Sequence, residues 1–119
     1  MTAKSVILTA LFSLTLLPLQ SQKIEVERLP DLNVPRAGHQ LFCVDGELVV
    51  AGGHTDGFVP TPTAEYLKDG EWHVMQMVYN HDFAASVVLK SGEVLLLGGC
   101  GQPIGIGQTH LAELYDPKT

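Results

Sequence analysis

The feature that most constrains this chain is an internal repeat, in which a run of aliphatic residues ends in two glycines. Residues 48–53 (LVVAGG) return as residues 94–99 (VLLLGG), 46 positions later. The neighbouring segments follow in step: Arg36 with Asp82, Gly38-His39 with Ala84-Ala85, Gly46-Glu47 with Gly92-Glu93, and, after a loop two residues longer, residues 64–66 with 112–115. The chain is therefore expected to fold as two similar units.

Each unit is predicted to be a meander of short β-strands. The expected strands are 40–44, 47–51, 63–67 and 71–77, followed by 85–89, 93–97 and 110–115. Asp45-Gly46 and Asp69-Gly70 are strong signals for two-residue hairpin turns, and Ser91-Gly92 is expected to form a third. The run 48–51 does not alternate with polar residues, so we expect it to be buried on both faces. Strand-rich repeats of about 40 to 50 residues are typical of β-propeller blades.

The first 21 residues have the pattern of a secretory signal peptide. Lys4 gives a positive start, residues 6–17 are uncharged, and Pro18 and Ser21 precede the expected cleavage point. The uncharged run is shorter than the roughly 20 residues that span a bilayer. A buried hydrophobic strand or helix is the alternative interpretation. The signal peptide predicts a secreted or periplasmic protein with no membrane span after cleavage.

The bulk composition excludes few functions. The formal net charge of −6 argues against binding to nucleic acid, which requires a basic surface. The two cysteines, Cys43 and Cys100, are expected at opposite ends of equivalent strand pairs, too far apart for a disulfide. We expect two unpaired thiols, or a bond to sequence outside this chain.

The repeat resembles that of the kelch family of β-propellers, which includes the central domain of galactose oxidase. In the kelch pattern a double glycine is followed by a tyrosine and then by a tryptophan. The matching residues are Gly52, Gly53, Tyr66 and Trp72 in the first repeat, and Gly98, Gly99 and Tyr115 in the second. The resemblance implies that the aromatic residues pack between blades. No residue matches the copper ligands of galactose oxidase, and no metal or cofactor is expected.

The resemblance implies a partial propeller after the signal peptide. Residues 24–34 are expected to form an outer strand and linker, 35–80 the first repeat, and 81–119 an incomplete second repeat. Because propellers have about 4 to 8 blades, we expect the remaining blades to come from further sequence, with residues 25–29 closing the ring. Truncation of the sequence and assembly from several copies are the alternatives.

A four-stranded meander places its long loops and its interblade links on the same rim, where function tends to concentrate. The predicted ligand-binding residues on this rim are Arg36, His54, Asp56, His81, Asp82, Cys100 and Gln102. Their spacing fits no compact metal-binding motif. Glu65 and Glu113 occupy equivalent positions, and we expect them to bond backbone groups rather than to form a catalytic pair.

The favoured function is a secreted binding module or scaffold whose loop-rich face holds a carbohydrate, peptide or protein partner. The alternative is that the chain is part of a kelch-propeller enzyme, similar to the sialic-acid mutarotases or to the oxidases of this family. It could equally belong to a propeller that is fused to a downstream catalytic domain. No catalytic residue is assigned from the sequence. An aromatic or charged rim would favour a binding module, and converging acid and base groups would favour an enzyme.

Overall fold

The computed structural model describes residues 23–119, and the predicted signal peptide lies outside them. The chain is all-β within this range and contains no α-helix there. Eleven strands follow one another: β1 (Gln40–Val44), β2 (Glu47–Ala51), β3 (His54–Thr55), β4 (Val59–Pro60), β5 (Thr63–Lys68), β6 (Glu71–Gln76), β7 (Ala85–Val88), β8 (Val94–Leu97), β9 (Cys100–Gln102), β10 (Ile106–Gln108) and β11 (Ala112–Tyr115). No helix within the described range is long and apolar enough to cross a membrane.

The first sheet is a four-stranded antiparallel meander in the order β1-β2-β5-β6. Val44 pairs with Glu47 and Lys68 with Glu71, so both Asp-Gly pairs form the two-residue turns expected from the sequence. Asp45 and Asp69 adopt positive φ angles of 50° and 52°, as the first position of a type I′ turn requires. In β2, residues 49–51 are buried as expected from the unbroken apolar run, whereas Leu48, at the start of that run, is half-buried.

The second sheet has three antiparallel strands in the order β11-β8-β7. Its turn between β7 and β8 differs from the prediction. The carbonyl of Leu89 accepts a hydrogen bond from the amide of Gly92, and the amide of Leu89 donates to the carbonyl of Glu93. The loop between Leu89 and Glu93 therefore contains three residues rather than two. Its last residue, Gly92, has a φ of 92°. A three-residue loop closed by a left-handed glycine is a common hairpin. Because of this extra residue, equivalent residues of the two repeats are 46 positions apart after the turn but only 45 positions apart before it. Val49 corresponds to Leu95, for example, but Phe42 corresponds to Val87.

The two sheets pack face to face around a small hydrophobic core. The core residues are Phe42, Val44, Val49, Ala51 and Ala64 from the first sheet and Val94 and Leu96 from the second. Tyr66 and Tyr115 pack against this core, and the rings of Tyr115 and Phe42 are 6.1 Å apart. The two tyrosines are not equivalent, because Tyr66 pairs with Val49 whereas Leu114 pairs with the corresponding Leu95, so the sequence match of Tyr66 to Tyr115 is wrong by one residue. The sheets approach each other most closely at β1 and β7. At that edge Gln40 donates from Nε2 to the carbonyl of Ala84, at 2.6 Å.

Two regions depart from the sequence prediction. The long loops after Gly53 and Gly99 were expected to be irregular, but each forms a small hairpin, β3-β4 and β9-β10 respectively. Residues 23–32, which include the predicted outer strand, form no strand and are largely exposed. Trp72 nevertheless reaches this segment and donates from Nε1 to the carbonyl of Pro30 at 2.9 Å.

Candidate functional site

The long loops lie at one end of the sheets together with two links, residues 30–39 before β1 (the first link) and residues 77–84 between β6 and β7 (the second link). Ala37 forms an antiparallel bridge with His54, and Asp82 forms the corresponding bridge with Cys100. Each link is thereby held against the hairpin of its own repeat, β3-β4 or β9-β10. We call this end the loop rim. The short turns lie at the opposite end, as the meander predicts.

The double glycine Gly52-Gly53 allows both links, at Ala37 and at His81, to approach the first sheet. Gly53 donates to the carbonyl of His81 at 3.0 Å. A Cβ atom on Gly52 would lie 2.3 Å from the same carbonyl oxygen, and one on Gly53 would lie 2.3 Å from the carbonyl oxygen of Ala37. Both glycines have positive φ angles. The glycine pair is therefore required for packing and backbone conformation, in keeping with the structural role expected from the sequence.

Arg36 is a buried structural residue on the first link. Its Nη2 atom lies 2.8 Å from Glu65 Oε1, and both side chains are completely enclosed. The guanidinium also donates to the carbonyls of Gly52 and Thr63. The guanidinium group of Arg36 is therefore buried among protein groups. No charged atom of Arg36 is exposed to contact a ligand, as its predicted binding role would require.

Glu65 binds the backbone of the same link. Its carboxylate accepts from the amides of Asn33 and Val34, at 2.8 and 3.0 Å. Burial raises the pKa of this carboxyl group, but the hydrogen bonds from Val34, Asn33 and Arg36 outweigh it and hold the pKa below its ordinary value. The expectation that Glu65 bonds backbone groups is confirmed.

The second repeat has the same arrangement with a histidine in place of the arginine. Glu113 accepts from the amides of Val78 and Tyr79, at 2.7 and 3.1 Å. His81 lies 3.4 Å from Glu113 and contacts the carbonyl of Gly98 at 2.8 Å. The structural counterpart of Arg36 is therefore His81. The sequence alignment that matched Arg36 to Asp82 is wrong by one residue, because of the longer turn between β7 and β8.

A histidine and a carboxylate connect the two repeats at the loop rim. His54 Nδ1 lies 2.8 Å from Asp82 Oδ1, and both side chains are buried. The histidine ring lies between two phenylalanines, with centroid distances of 4.8 Å to Phe58 and 5.4 Å to Phe83. The other oxygen of Asp82 is buried and has no partner within the described part of the chain. The predicted residues His54 and Asp82 are thus brought into direct contact.

The loop rim exposes apolar side chains that the sequence analysis missed. Phe58, Phe83 and Ile104 are 52%, 61% and 70% exposed. All three have a positive φ, which is uncommon for residues other than glycine and costs about 1 to 3 kcal/mol each. Val59 and Ile106 are exposed beside them. The sequence indicates these exposed residues only through the repeat. Phe58 and Ile104 are 46 residues apart and so occupy equivalent hairpin tips.

An open cavity of about 360 Å³ lies on one side of the first hairpin. Its lining includes His54, Asp56 and Phe58, together with Pro35 and Ala37 from the link. In the second repeat the corresponding surface of β9 is contacted by β4 of the first hairpin. The cavity therefore lies beside the first hairpin at the position that, in the second repeat, is occupied by the neighbouring hairpin.

Of the remaining predicted site residues, Cys100 meets this cluster only through its backbone bridge to Asp82. Gln102 is exposed, and Cys100 is half-buried and donates from Sγ to the carbonyl of Gly105. Cys43 and Cys100 form no disulfide with each other. Within residues 23–119, no three His, Cys, Asp or Glu side chains are grouped so that they could hold a metal ion.

No protein-family model matches the chain, and no significant match is found among curated proteins.

Proposed function

We propose that the two sheets are neighbouring blades of a kelch-type β-propeller, and that its loop rim is the binding face of a secreted or periplasmic binding module. The sheets belong to one repeating pattern, and each is tied to its preceding link by an equivalent glutamate, Glu65 or Glu113. They approach each other most closely at β1 and β7, the first strand of each sheet, and this supports the proposal because propeller blades are arranged radially around a central channel.

The outer face of the second sheet supports the presence of a further blade. Val87, Leu97 and Leu114 are 48%, 42% and 51% exposed on this face. Their counterparts in the first sheet are Phe42, Ala51 and Tyr66, which pack against the second sheet. An apolar face of this kind is typical of a surface that is covered in the complete protein. We propose that a third sheet of the same pattern, from further sequence, covers it.

The observation that carries the binding function is the exposure of Phe58, Phe83 and Ile104 on one rim, each with strained backbone geometry. A left-handed backbone at a residue other than glycine has an energetic cost, and such residues concentrate at functional sites. Aromatic side chains supply large contact areas to protein and carbohydrate ligands. We propose a carbohydrate, peptide or protein partner, bound through the hairpin tips and Phe83.

Binding to an oligosaccharide array and to a displayed peptide library tests this proposal. A ligand selected with the unaltered chain should lose about tenfold or more in affinity with Phe58→Ala or Phe83→Ala. Lys68→Ala and Lys90→Ala, at the opposite end of the sheets, should leave the affinity unchanged. If a selected ligand binds the phenylalanine variants as tightly as it binds the unaltered chain, the loop rim is not the binding face.

A further inference from the structure

His81 makes in the second repeat the contacts that Arg36 makes in the first. Arg36 donates from Nη1 to the carbonyl of Gly52 at 3.0 Å, and His81 Nδ1 lies 2.8 Å from the carbonyl of Gly98. Because a carbonyl oxygen only accepts hydrogen bonds, Nδ1 of His81 carries a proton. The remaining question is the state of its second ring nitrogen.

That nitrogen, Nε2, faces a carboxylate. It lies 3.4 Å from Glu113 Oε2 and has no hydrogen-bond partner among residues 23–119, and the His81 side chain is completely buried. An unprotonated Nε2 would direct its lone pair at the negatively charged carboxylate of Glu113, which is an unfavourable contact inside the protein. A protonated Nε2 would form an ion pair with that carboxylate, in the position of the pair of Arg36 and Glu65 but at 3.4 Å rather than 2.8 Å. The geometry therefore fits an imidazolium ion.

We propose that His81 is a pH-dependent tie between the second sheet and the link that precedes it. With both ring nitrogens protonated, it binds Gly98 and Glu113 together. As the pH rises and the Nε2 proton is lost, the ion pair is lost and the hold of Glu113 on the link weakens. The first repeat lacks this dependence, because an arginine side chain stays charged at all physiological pH values.

The other charged groups near the link have separate partners. Asp82 is held by His54 of the first hairpin, and Arg36 by Glu65. The contact of His54 with Asp82 needs only one ring proton, which neutral histidine also has. Among these groups, His81 is thus the one whose observed contacts require a second proton.

Two measurements on the full chain test this inference. The ring ¹⁵N spectrum, which can be recorded on dissolved or sedimented protein, should show both His81 nitrogens protonated at about pH 5.5 and Nε2 unprotonated at about pH 8. Over the same interval, hydrogen exchange at the amides of Val78 and Tyr79, corrected for intrinsic rates, should accelerate about tenfold.

Exchanging the two side chains between the repeats supplies matched variants. His81→Arg should abolish the pH dependence of exchange at Val78 and Tyr79. Arg36→His should create the same dependence at Asn33 and Val34, where the unaltered chain has none. A neutral His81 ring at about pH 5.5 would overturn the inference whatever the variants do. Persistence of the pH dependence in His81→Arg would also overturn it.

Discussion

Arg36 and Glu65 form a completely buried ion pair, with Nη2 and Oε1 2.8 Å apart, that attaches the first link to the first sheet. Both charges are well compensated. The carboxylate of Glu65 also accepts hydrogen bonds from two backbone amides, and the guanidinium of Arg36 also donates to two backbone carbonyls. Removing one partner leaves the other charged and buried, which is far more costly than the loss of an exposed pair.

We therefore expect Arg36→Met to lower the free energy of unfolding by about 3 to 5 kcal/mol. The exposed pair of Lys68 and Glu47, 3.9 Å apart, supplies the control, since Lys68→Met should cost about 0.5 kcal/mol or less. Urea denaturation measures both. The double variant Arg36→Met, Glu65→Gln should lose less than the sum of its single changes, and strict additivity would show that the two side chains are not coupled.

The lowered pKa of Glu65 predicts a loss of stability in acid. Because the carboxyl group binds a proton more readily in the unfolded chain, its contribution is present above its ordinary pKa of 4.5 and decreases as the pH falls below that value. Urea unfolding between about pH 3 and 6 measures the slope. Glu65→Gln should flatten the slope in this range and the exposed Glu71→Gln should not. A variant with an unchanged slope would contradict the assignment.

The four strands of the first sheet and the two Asp-Gly turns could be predicted from the sequence because both are local signals, whereas the predicted outer strand at residues 25–29 did not form. The one-residue shift of the second repeat could not be predicted, since Lys90 in a three-residue turn looks like any other surface residue beside Ser91-Gly92. The hairpins β3-β4 and β9-β10 carry their apolar residues at the tips, where no alternation reveals a strand. The equivalence of Arg36 and His81 appears only once the one-residue shift of the second repeat is known. The sequence therefore did not reveal that these two predicted rim residues are buried.

The close approach at Gly53 predicts a position-specific effect of alanine. Gly53→Ala would place a Cβ atom 2.3 Å from the carbonyl oxygen of Ala37, whereas Gly70, with a similar φ of 78°, has open space around it. Gly70→Ala should cost only the left-handed backbone strain, about 1 to 2 kcal/mol. Gly53→Ala should cost about 3 kcal/mol or more, because the link must also move. Thermal unfolding compares the two, and equal losses would show that the link is not held at this contact.

The open face of the second sheet predicts self-association of residues 22–119 expressed alone. Val87 and Leu114 are about half exposed on this face, and the adjacent edge of β11 is unpaired within the described part of the chain. The double change Val87→Lys, Leu114→Lys should raise the fraction of monomer in sedimentation velocity and leave the circular dichroism spectrum unchanged. Val49→Lys, in the core between the sheets, should unfold the chain instead. An unaltered chain that stays monomeric and melts in one sharp transition would show that this face needs no covering sheet, and would remove the support it gives to a third blade.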